Sequence, residues 1–454
     1  MEAKAYIDAL VEKSRIAQKE FENFTQEQVD AIVKEVGKVV YDNAEELAKM
    51  AVEETGMGVY EHKVLKNKGK SKTIWNSLKG KKSVGIINRD EETGIVEIAK
   101  PMGVVGAVTP TTNPIVTPMC NAMFALKGRN SIIIAPHPRA KKCSAETVKR
   151  INEALKKHNA PENLIQIIEE PSIEKTNLLM NAVDVVVATG GMGMVKAAYS
   201  SGKPAYGVGA GNVQVIVDRD VDFDDAAKKI IAGRTFDNGI ICSGEQTVIA
   251  HEDDYDKVIK AFENNGAYYV NDPETKEKFR KAIFVNGTIN RDVVGQSPQK
   301  VAELAGVEIP ADTKVILIEA DGIGAEDVLC KEKMCPVMAT FRYKTFEEGV
   351  KIAQTNLELE GKGHSAAIHS NNNEHIDYAG ENLTVSRLVV NQPSSTTAGG
   401  SFFNGFAPTT TLGCGSWGNN SISENFTYKH MINISRIGHY MADRVVPSDE
   451  ELWA

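Results

Sequence analysis

Cys242 is the residue in this sequence best suited to covalent chemistry. It follows the glycine-bearing turn Phe236-Asp237-Asn238-Gly239, and its other neighbours are mostly small or polar. This setting is typical of a reachable thiol, and backbone amides at a helix start can favour the reactive thiolate. A lone cysteine is more often buried and structural, which is the interpretation we prefer for Cys120, Cys143 and Cys414.

Two glycine clusters could approach a phosphate. Thr189-Gly190-Gly191-Met192-Gly193 follows an apolar segment and opens a predicted helix, where backbone amides and the helix dipole attract anions. For the second cluster, Gly207-Val208-Gly209-Ala210-Gly211, tight turns remain an alternative explanation. Neither cluster completes G-x-G-x-x-G, because the sixth positions are Lys196 and Asn212. The usual dinucleotide-binding motif is therefore absent.

A third candidate is Pro136-His137-Pro138-Arg139, which directly follows the predicted strand Ser131–Ala135. In open α/β sheets, ligands bind beside the loops at the carboxyl ends of the strands. Arg139, Lys141 and Lys142 place positive charge at a helix start, where it opposes the helix dipole. A phosphate ligand would explain this charge better than a solvated helix start.

The elements that must position these residues follow from the apolar pattern. Thr25-Gln26-Glu27-Gln28 is a capping box that opens an amphipathic helix, and a second helix covers Asn43–Glu54. From Gly103 onward strands and helices alternate, which predicts a parallel sheet covered on both faces. The predicted strands are Val104–Val108, Ser131–Ala135, Leu164–Ile168, Asp184–Ala188 and Val213–Val217. The predicted helices are Pro118–Leu126, Ser144–His158, Ile173–Met180 and Met194–Ser201.

A second alternating region predicts another α/β domain. Its segments are Lys314–Ile318, Phe346–Asn356, His364–His369, Glu374–Glu381 and Ser386–Val390. Two segments break the alternation: Ser83–Ala99, predicted as a hairpin around residues 91–94, and Tyr428–Ile437, a short apolar-polar alternation. Paired with each other, they would form a small sheet for subunit contact.

Composition narrows the function classes. The chain has 454 residues, 42% hydrophobic and 25% charged, which excludes a disordered or collagen-like protein. A net charge of −9 does not suit a dedicated nucleic-acid binder, and no apolar run reaches the roughly 18 residues that span a bilayer. Six cysteines are too few for a disulfide scaffold, so a reducing cytoplasm is the default compartment.

Cys330 and Cys335 lack a second ligand pair, so we expect no metal site.

Several motifs, in the order of the chain, resemble the aldehyde dehydrogenase superfamily and its coenzyme A-acylating branch. They are Thr109-Pro110-Thr111-Thr112-Asn113-Pro114, the Cys242 segment, Lys331-Glu332-Lys333-Met334-Cys335-Pro336-Val337 and Leu412-Gly413-Cys414-Gly415-Ser416-Trp417-Gly418. The stretches that are similar to members acting on succinate semialdehyde are Tyr199–Gly202, Asn391–Gly400 and Asn419–Asn433. The resemblance implies two parallel-sheet α/β domains and a small oligomerisation sheet.

The resemblance also implies roles for individual residues. Cys242 matches the catalytic nucleophile, and Asn113 matches the amide that holds the oxyanion together with the Cys242 backbone N–H. Glu332 matches the glutamate that contacts the nicotinamide ribose. The implied cofactor-binding set is Thr109, Pro110, Thr111, Pro136, His137, Pro138, Arg139, Thr189, Gly190, Gly191, Glu332 and Pro336. The implied domains are residues 1–213 for cofactor binding (with 83–99 as the oligomerisation hairpin), 214–420 for catalysis and 421–454 for the C-terminal oligomerisation strand and tail.

Two departures from the family pattern carry information. Hydrolytic members have a general-base glutamate where this chain has Val208-Gly209-Ala210-Gly211, so the thioester on Cys242 should persist until the thiol of CoA takes the acyl group. NAD-specific members often place a glutamate where this chain has Pro138, followed here by Arg139. An arginine there can pair with a 2′-phosphate. We therefore expect NADP(H) to be accepted and preferred, with NAD(H) as the alternative.

The expected reaction is the reversible, NADP(H)-dependent interconversion of succinyl-CoA with succinate semialdehyde and CoA, in a homodimer or higher homo-oligomer. Lys70 is a candidate for the distal carboxylate of the substrate, with hydroxyl donors from Ser243, Ser394 and Ser395. The alternative for the lysine-rich segment 63–82 is a solvated helix face or a dock for CoA phosphates.

Three other functions stay open. The first is an acylating acetaldehyde or propionaldehyde dehydrogenase, which an apolar pocket would favour. The second is a hydrolytic dehydrogenase in which Glu245 has taken over the role of the base. The third is a catalytically silent assembly protein, against which the retention of both Cys242 and Asn113 argues.

Overall fold

The computed structural model describes residues 2–454, which begin with four helices. They are α1 (Glu2–Phe21), α2 (Gln26–Asp42), α3 (Ala44–Thr55) and α4 (Tyr60–Leu78). The predicted capping box is confirmed: Gln28 N–H donates to Thr25 Oγ1 (3.3 Å), and Thr25 N–H donates to Gln28 Oε1 (2.8 Å). The predicted end of α3 is also confirmed, because Gly56 adopts a left-handed φ of +66° directly after it.

A five-stranded parallel sheet follows a short hairpin. In chain order the elements are β1 (Gly85–Asp90), β2 (Ile95–Pro101), β3 (Val104–Val108), α5 (Val116–Lys127), β4 (Ser131–Ala135), α6 (Lys141–Leu155), β5 (Ile165–Ile167), α7 (Ile173–Ala182), β6 (Val185–Thr189), α8 (Met192–Tyr199) and β7 (Ala205–Val208). The strand order of the sheet is β5-β4-β3-β6-β7. The chain reverses its direction across the sheet between β3 and β6, which creates a crevice at their carboxyl ends.

The next part of the chain forms a seven-stranded parallel sheet and a two-stranded ribbon, β11-β12. Its elements are β8 (Gln214–Val217), α9 (Phe223–Thr235), β9 (Thr247–His251), α10 (Tyr255–Asn264), β10 (Ala267–Val270), α11 (Pro273–Ile283), β11 (Phe284–Val285), β12 (Thr288–Ile289), α12 (Pro298–Ala305), β13 (Val315–Glu319), β14 (Val337–Tyr343), α13 (Phe346–Leu359), β15 (Ala366–His369), α14 (Asn373–Asn382), β16 (Leu388–Val390) and α15 (Ser394–Thr397). The strand order is β10-β13-β14-β9-β8-β15-β16.

One strand assignment from the sequence is corrected. The alternating pattern places Val213–Val217 with the strands of the first region, but β8 lies in the second sheet between β9 and β15. Its backbone pairs Ile216 with Ile249 of β9 and Val215 with Ala367 of β15. An apolar run shows that a strand is buried but not which sheet it joins, because the pattern is the same for both sheets and the partner strand β15 lies far along the chain.

Both parallel sheets are covered on both faces, as the apolar strands predicted. In β3, Val105 and Ala107 pack against the side of α2 and α5, whereas Val104 and Val108 pack against α1 and α7. The strands of the second sheet alternate in the same way between two apolar clusters. This double burial fixes the strand ends, and therefore the loops that carry the candidate site.

The predicted small sheet is confirmed. Strand β17 (Ile432–Gly438) pairs antiparallel with β2, which also pairs with β1, and a short helix α16 (Asp449–Trp453) follows. Ile86, Ile434 and Ile437 of the edge strands are exposed. A role of this sheet in subunit contact stays a prediction. Within residues 2–454, no helix combines the length and apolar character that a membrane crossing requires.

Candidate active site

The candidate residues lie where the two parallel sheets face each other. Asn113 follows β3, and the Thr189-Gly190-Gly191 turn lies at the carboxyl end of β6. Cys242 precedes β9 and Glu332 precedes β14, and these two strands are hydrogen-bonded neighbours. The carboxyl edge of the first sheet therefore meets the amino ends of two strands of the second sheet.

The first cavity at this junction holds most of the predicted cofactor-binding residues. Its volume is about 380 Å³. The predicted residues that line it are Thr109, Pro110, Thr111, Asn113, Pro136, His137, Pro138, Thr189, Gly190, Gly191, Cys242 and Glu332. Two predicted residues do not line it. Arg139 is exposed beside the loop of His137 and Pro138, and Pro336 is buried, where its carbonyl accepts the Ile316 N–H.

A second cavity, of about 290 Å³, lies on the other side of the thiol. Lys70, Ser243 and Ser395 line it, together with apolar side chains such as Phe236 and Leu412. Ser394 does not line it; this residue is fully buried, and its N–H donates to Glu245 Oε1. Asn113, Cys242 and Thr410 line both cavities, so the thiol and the amide stand at the passage between them.

The backbone before and beside Cys242 is tightly constrained. Asp237, Asn238 and Gly239 have consecutive left-handed φ values of +53°, +53° and +72°. Such angles are costly for residues with a side chain and persist only where the surroundings enforce them. Gly211 is required on the opposite side, because a Cβ there would lie 1.7 Å from the Cys242 carbonyl oxygen. This glycine of the second cluster therefore serves close backbone packing.

Asp237 anchors this loop to α4. Its carboxylate has no solvent exposure and accepts from Lys63 Nζ (3.0 Å), Lys66 Nζ (2.6 Å) and the Val59 N–H (2.9 Å). Burial alone would raise the pKa of Asp237, but the two lysines outweigh it and the net pKa is lowered. The solvated interpretation of the lysine-rich segment is wrong for Lys63 and Lys66, whose side chains face inward.

The environment of Cys242 favours the neutral thiol. Burial is the largest effect, followed by the nearby Glu332, and together they raise the pKa of Cys242 to about 12. Burial and the neighbouring Glu360 also raise the pKa of Glu332, to about 8. The positive charge of Arg387 lowers the pKa of the thiol. The buried guanidinium group donates only to neutral oxygens, so no carboxylate offsets its charge. The expectation that backbone amides would ionise Cys242 is not met, because desolvation outweighs them.

Lys70 lines the second cavity and has an unused hydrogen-bond donor. Its Nζ donates to the carbonyl oxygens of Gly399 (2.8 Å) and Thr409 (3.1 Å). An ammonium group has three donors, so one remains for a ligand. Burial lowers the pKa of Lys70 to about 8, which leaves the group mostly cationic at neutral pH.

One reason for expecting a phosphate at the start of α6 is corrected, because the backbone amides of this helix are already bonded. Glu54 occupies this helix terminus, because its carboxylate accepts from the backbone N–H groups of Lys142 (2.8 Å) and Cys143 (2.7 Å). Lys141 pairs with Glu170 at 2.5 Å. The chain thus balances the helix dipole with its own carboxylate, whereas Arg139 forms no ion pair with any residue of the described range 2–454.

Glu245 is not placed to act as a base for water. It lines neither cavity and is fully buried beneath Gly233, where a Cβ would lie 2.2 Å from its carboxylate oxygens. Burial raises the pKa of Glu245 to about 7. The arrangement gives no support to the hydrolytic alternative.

Sequence reasoning missed three residues that shape the site: Lys66, Asp237 and Arg387. Two signals were present in the sequence. Lys66 and Lys70 are four residues apart, which places them on one face of a helix, and Asp237 begins an Asp-Asn-Gly run suited to left-handed backbone. Arg387 gave no signal, because nothing in its local sequence shows that a strand end will bury it.

Comparisons with known proteins show the family of the chain. The family model described as the aldehyde dehydrogenase family matches residues 1–291. The succinate-semialdehyde dehydrogenase (acetylating) of Clostridium kluyveri is 62% identical over 453 residues, which cover 100% of both chains. The crystal structure of an acetylating aldehyde dehydrogenase from Geobacillus thermoglucosidasius matches with a TM-score of 0.94 and 40% identity, covering 99% of both chains.

A third comparison concerns a structure with ligands. The propionaldehyde dehydrogenase of Rhodopseudomonas palustris, solved with bound CoA and an acylated cysteine, matches with a TM-score of 0.86 and 31% identity, covering 95% of this chain and 97% of that one. The chain belongs to the aldehyde dehydrogenase family, and the family resemblance of its motifs is confirmed.

The raised pKa of the Cys242 thiol predicts how the free enzyme reacts with iodoacetamide. Because only the thiolate is alkylated, the rate should rise about tenfold per pH unit from pH 7 to pH 10. The measurement is the rate of carbamidomethylation of Cys242 by peptide mass spectrometry, with Cys242→Ala as the control for other sites. A rate that levels off below pH 8 would contradict the prediction.

Proposed function

We propose that the chain catalyses the reversible interconversion of succinyl-CoA with succinate semialdehyde and CoA, through an acyl thioester on Cys242. One observation carries the proposal: Cys242 and Asn113 stand at the passage between two cavities. One cavity has the features of a cofactor cleft, and the other holds the cation of Lys70. The Clostridium kluyveri relative, named as a succinate-semialdehyde dehydrogenase (acetylating), supports this assignment.

A nicotinamide cofactor fits the first cavity. Positions 190 and 191 leave open space where a Cβ would stand, so the backbone at the start of α8 can approach a pyrophosphate. Glu332 lines the cavity and forms no ion pair with residues 2–454, so its carboxyl group can form a hydrogen bond with a ribose hydroxyl. When bound, the cofactor supplies the hydride acceptor for aldehyde oxidation or the hydride for thioester reduction.

The chain's own groups perform the covalent steps. Cys242 reacts as the fraction that has lost its proton to water, and this thiolate attacks the aldehyde carbon. The resulting oxyanion is held by the Asn113 amide and the Cys242 N–H. Loss of hydride from that carbon leaves the acyl group on sulfur as a thioester. The CoA thiolate then attacks this thioester and releases the Cys242 thiolate, so the acyl group moves without water.

The absence of a base supports CoA as the acceptor. The cleft wall beside Cys242 consists of Val208, Gly209 and Ala210, none of which can accept a proton from water. Glu332 is the one carboxylate in the described lining of the first cavity, and burial raises its pKa to about 8, so most of it is protonated at neutral pH. In its protonated form Glu332 cannot take a proton from water, whereas a thiol needs less help to lose its proton.

Three further assignments belong to the same proposal. The domains are residues 1–213 for cofactor binding, 214–420 for catalysis and 421–454 for the C-terminal strand and tail. The exposed apolar residues of the small sheet support a homodimer or higher homo-oligomer. All six cysteines are free, which supports a reducing, cytoplasmic setting.

The proposal is tested by steady-state oxidation of NADPH with succinyl-CoA and with acetyl-CoA. We expect a higher kcat/KM for succinyl-CoA and complete loss of turnover in Cys242→Ala. In the oxidative direction without CoA, succinate semialdehyde should give about one equivalent of reduced cofactor per active site and then stop. Equal or better turnover of acetyl-CoA would favour the short-chain alternative, and continued oxidation without CoA would favour hydrolysis.

The role of Lys70 predicts a change in selectivity. Lys70→Met should lower the ratio of kcat/KM for succinyl-CoA over acetyl-CoA about ten- to a hundredfold, because a buried carboxylate loses a charged donor. Lys68→Met is the matched control on the same helix, since Lys68 pairs with Glu45 at the surface. The ratio reports only the contact with the distal carboxylate, because a disturbed loop at 399–409 would lower kcat/KM for both substrates.

The lowered pKa of Lys70 adds a pH dependence to that ratio. Because kcat/KM reports the free enzyme, succinyl selectivity should fall as the pH rises through about 8, where Lys70 loses its charge. Selectivity that stays constant from pH 6.5 to pH 9.5 would argue against Lys70 as the carboxylate ligand.

The exposed Arg139 supports a preference for NADP(H). Arg139→Ala should lower kcat/KM for NADPH about tenfold or more and change that for NADH less than twofold, because only NADPH offers a 2′-phosphate. Cofactor titrations in the steady state check this. A similar loss for both cofactors would contradict the assignment.

A further inference from the structure

Lys66 joins the nucleophile loop to the oxyanion residue. Its Nζ donates to Asp237 Oδ2 (2.6 Å) and to Asn113 Oδ1 (2.7 Å). The side chain of Lys66 is 8% exposed, and that of Asp237 is fully buried. One buried ammonium group thus connects the loop that leads to Cys242 with the amide that faces it.

This contact determines which way the Asn113 amide points. An ammonium group donates hydrogen bonds and cannot accept them, so Asn113 must turn its carbonyl oxygen toward Lys66. The amide nitrogen, Nδ2, is then on the other branch of the amide, and it makes one side-chain hydrogen bond within residues 2–454, a long one of 3.4 Å to Thr112 Oγ1. An amide nitrogen carries two N–H donors, so one remains free for an oxygen that develops charge.

The charge of Lys66 also strengthens the donor. A cation on the carbonyl oxygen polarises the amide, and hydrogen bonds in a chain strengthen one another in a medium of low dielectric constant. Lys63 and Lys66 carry two positive charges against the single negative charge of Asp237, so the cluster keeps a positive surplus beside Asn113.

We propose that Lys66, held by Asp237, is a positioning residue that orients and polarises Asn113 as the oxyanion donor. The inference rests on the proposed thioester chemistry of Cys242, but not on which acyl group is used. Lys66 acts through Asn113, so its contribution should exist only while Asn113 is present.

The chain offers a matched comparison for the test. Lys63 and Lys66 both bind Asp237, but only Lys66 reaches Asn113. The experiment measures the single-turnover rate of reduced-cofactor formation, using whichever aldehyde the wild-type enzyme oxidises fastest. The variants are Lys66→Met, Lys63→Met and Asn113→Ala, each alone, and the two lysine variants each combined with Asn113→Ala. Lys68→Met is the surface control, and thermal unfolding checks that each variant folds.

We expect Asn113→Ala to slow the step about a hundredfold or more, as for other oxyanion donors, and Lys66→Met to slow it about ten- to a hundredfold. In the Asn113→Ala background, Lys66→Met should change the rate less than threefold, because the residue it acts through is gone. Lys63→Met should have the same effect in both backgrounds. The KM for the aldehyde and the alkylation rate of Cys242 should change little in Lys66→Met.

Two results would overturn the inference alone. One is a Lys66→Met effect that multiplies fully with that of Asn113→Ala. The other is a parallel loss of Cys242 alkylation, which would mean that Lys66 acts on the nucleophile loop instead. A wild-type enzyme that oxidises no aldehyde would overturn the proposed function together with the inference, so the two failures are distinguishable.

Discussion

Asp237 is a carboxylate without solvent exposure, and it keeps its charge because two lysines of α4 face it. The cost of burying that ion is offset only if the partners stay in place, so the loop and the helix are fixed to each other. The left-handed backbone at 237–239 depends on this attachment, and so does the position of the thiol five residues after Asp237. This cluster of ion pairs joins α4 to the nucleophile loop. It therefore fixes the place beside Cys242 where the two cavities meet.

Around the thiol, burial moves ionisable groups toward their neutral forms. The pKa values of Cys242 and Glu332 are raised, and that of Lys70 is lowered, with desolvation as the first cause each time. A site of this kind stabilises separated charge poorly until a donor is aimed at it. Fixed donors are worth more there than in water, because little solvent competes with them. The burial that raises the pKa of the thiol therefore also strengthens the interaction between an oxyanion and a preorganised amide.

Local signals predicted the local structure well. The capping box at Thr25 and the strand–helix alternation depend on neighbouring residues, and the structure confirms them. Contacts that join distant segments left no such signal. Nothing near β8 indicates which sheet it joins, and Glu54 reaches the start of α6 from another helix. Lysine-rich segments are usually solvated, so the sequence alone does not show that Lys66 points inward; only the folded structure does. The thiol and its amide were found through motifs, whereas the lysine that links them was not.

The pairing of β17 with β2 has a consequence for synthesis of the chain. Asn433 and Pro101, which meet in this sheet, are 332 residues apart. While the ribosome is still making the second parallel sheet, β2 has an unpaired edge, and unpaired edges are templates for wrong partners. Lys100 and Glu97 of β2 carry charges that discourage such pairing. The last strand of the chain thus covers this edge only late in translation, so loss of the final 30 or so residues would leave β2 exposed and lower the solubility of the protein.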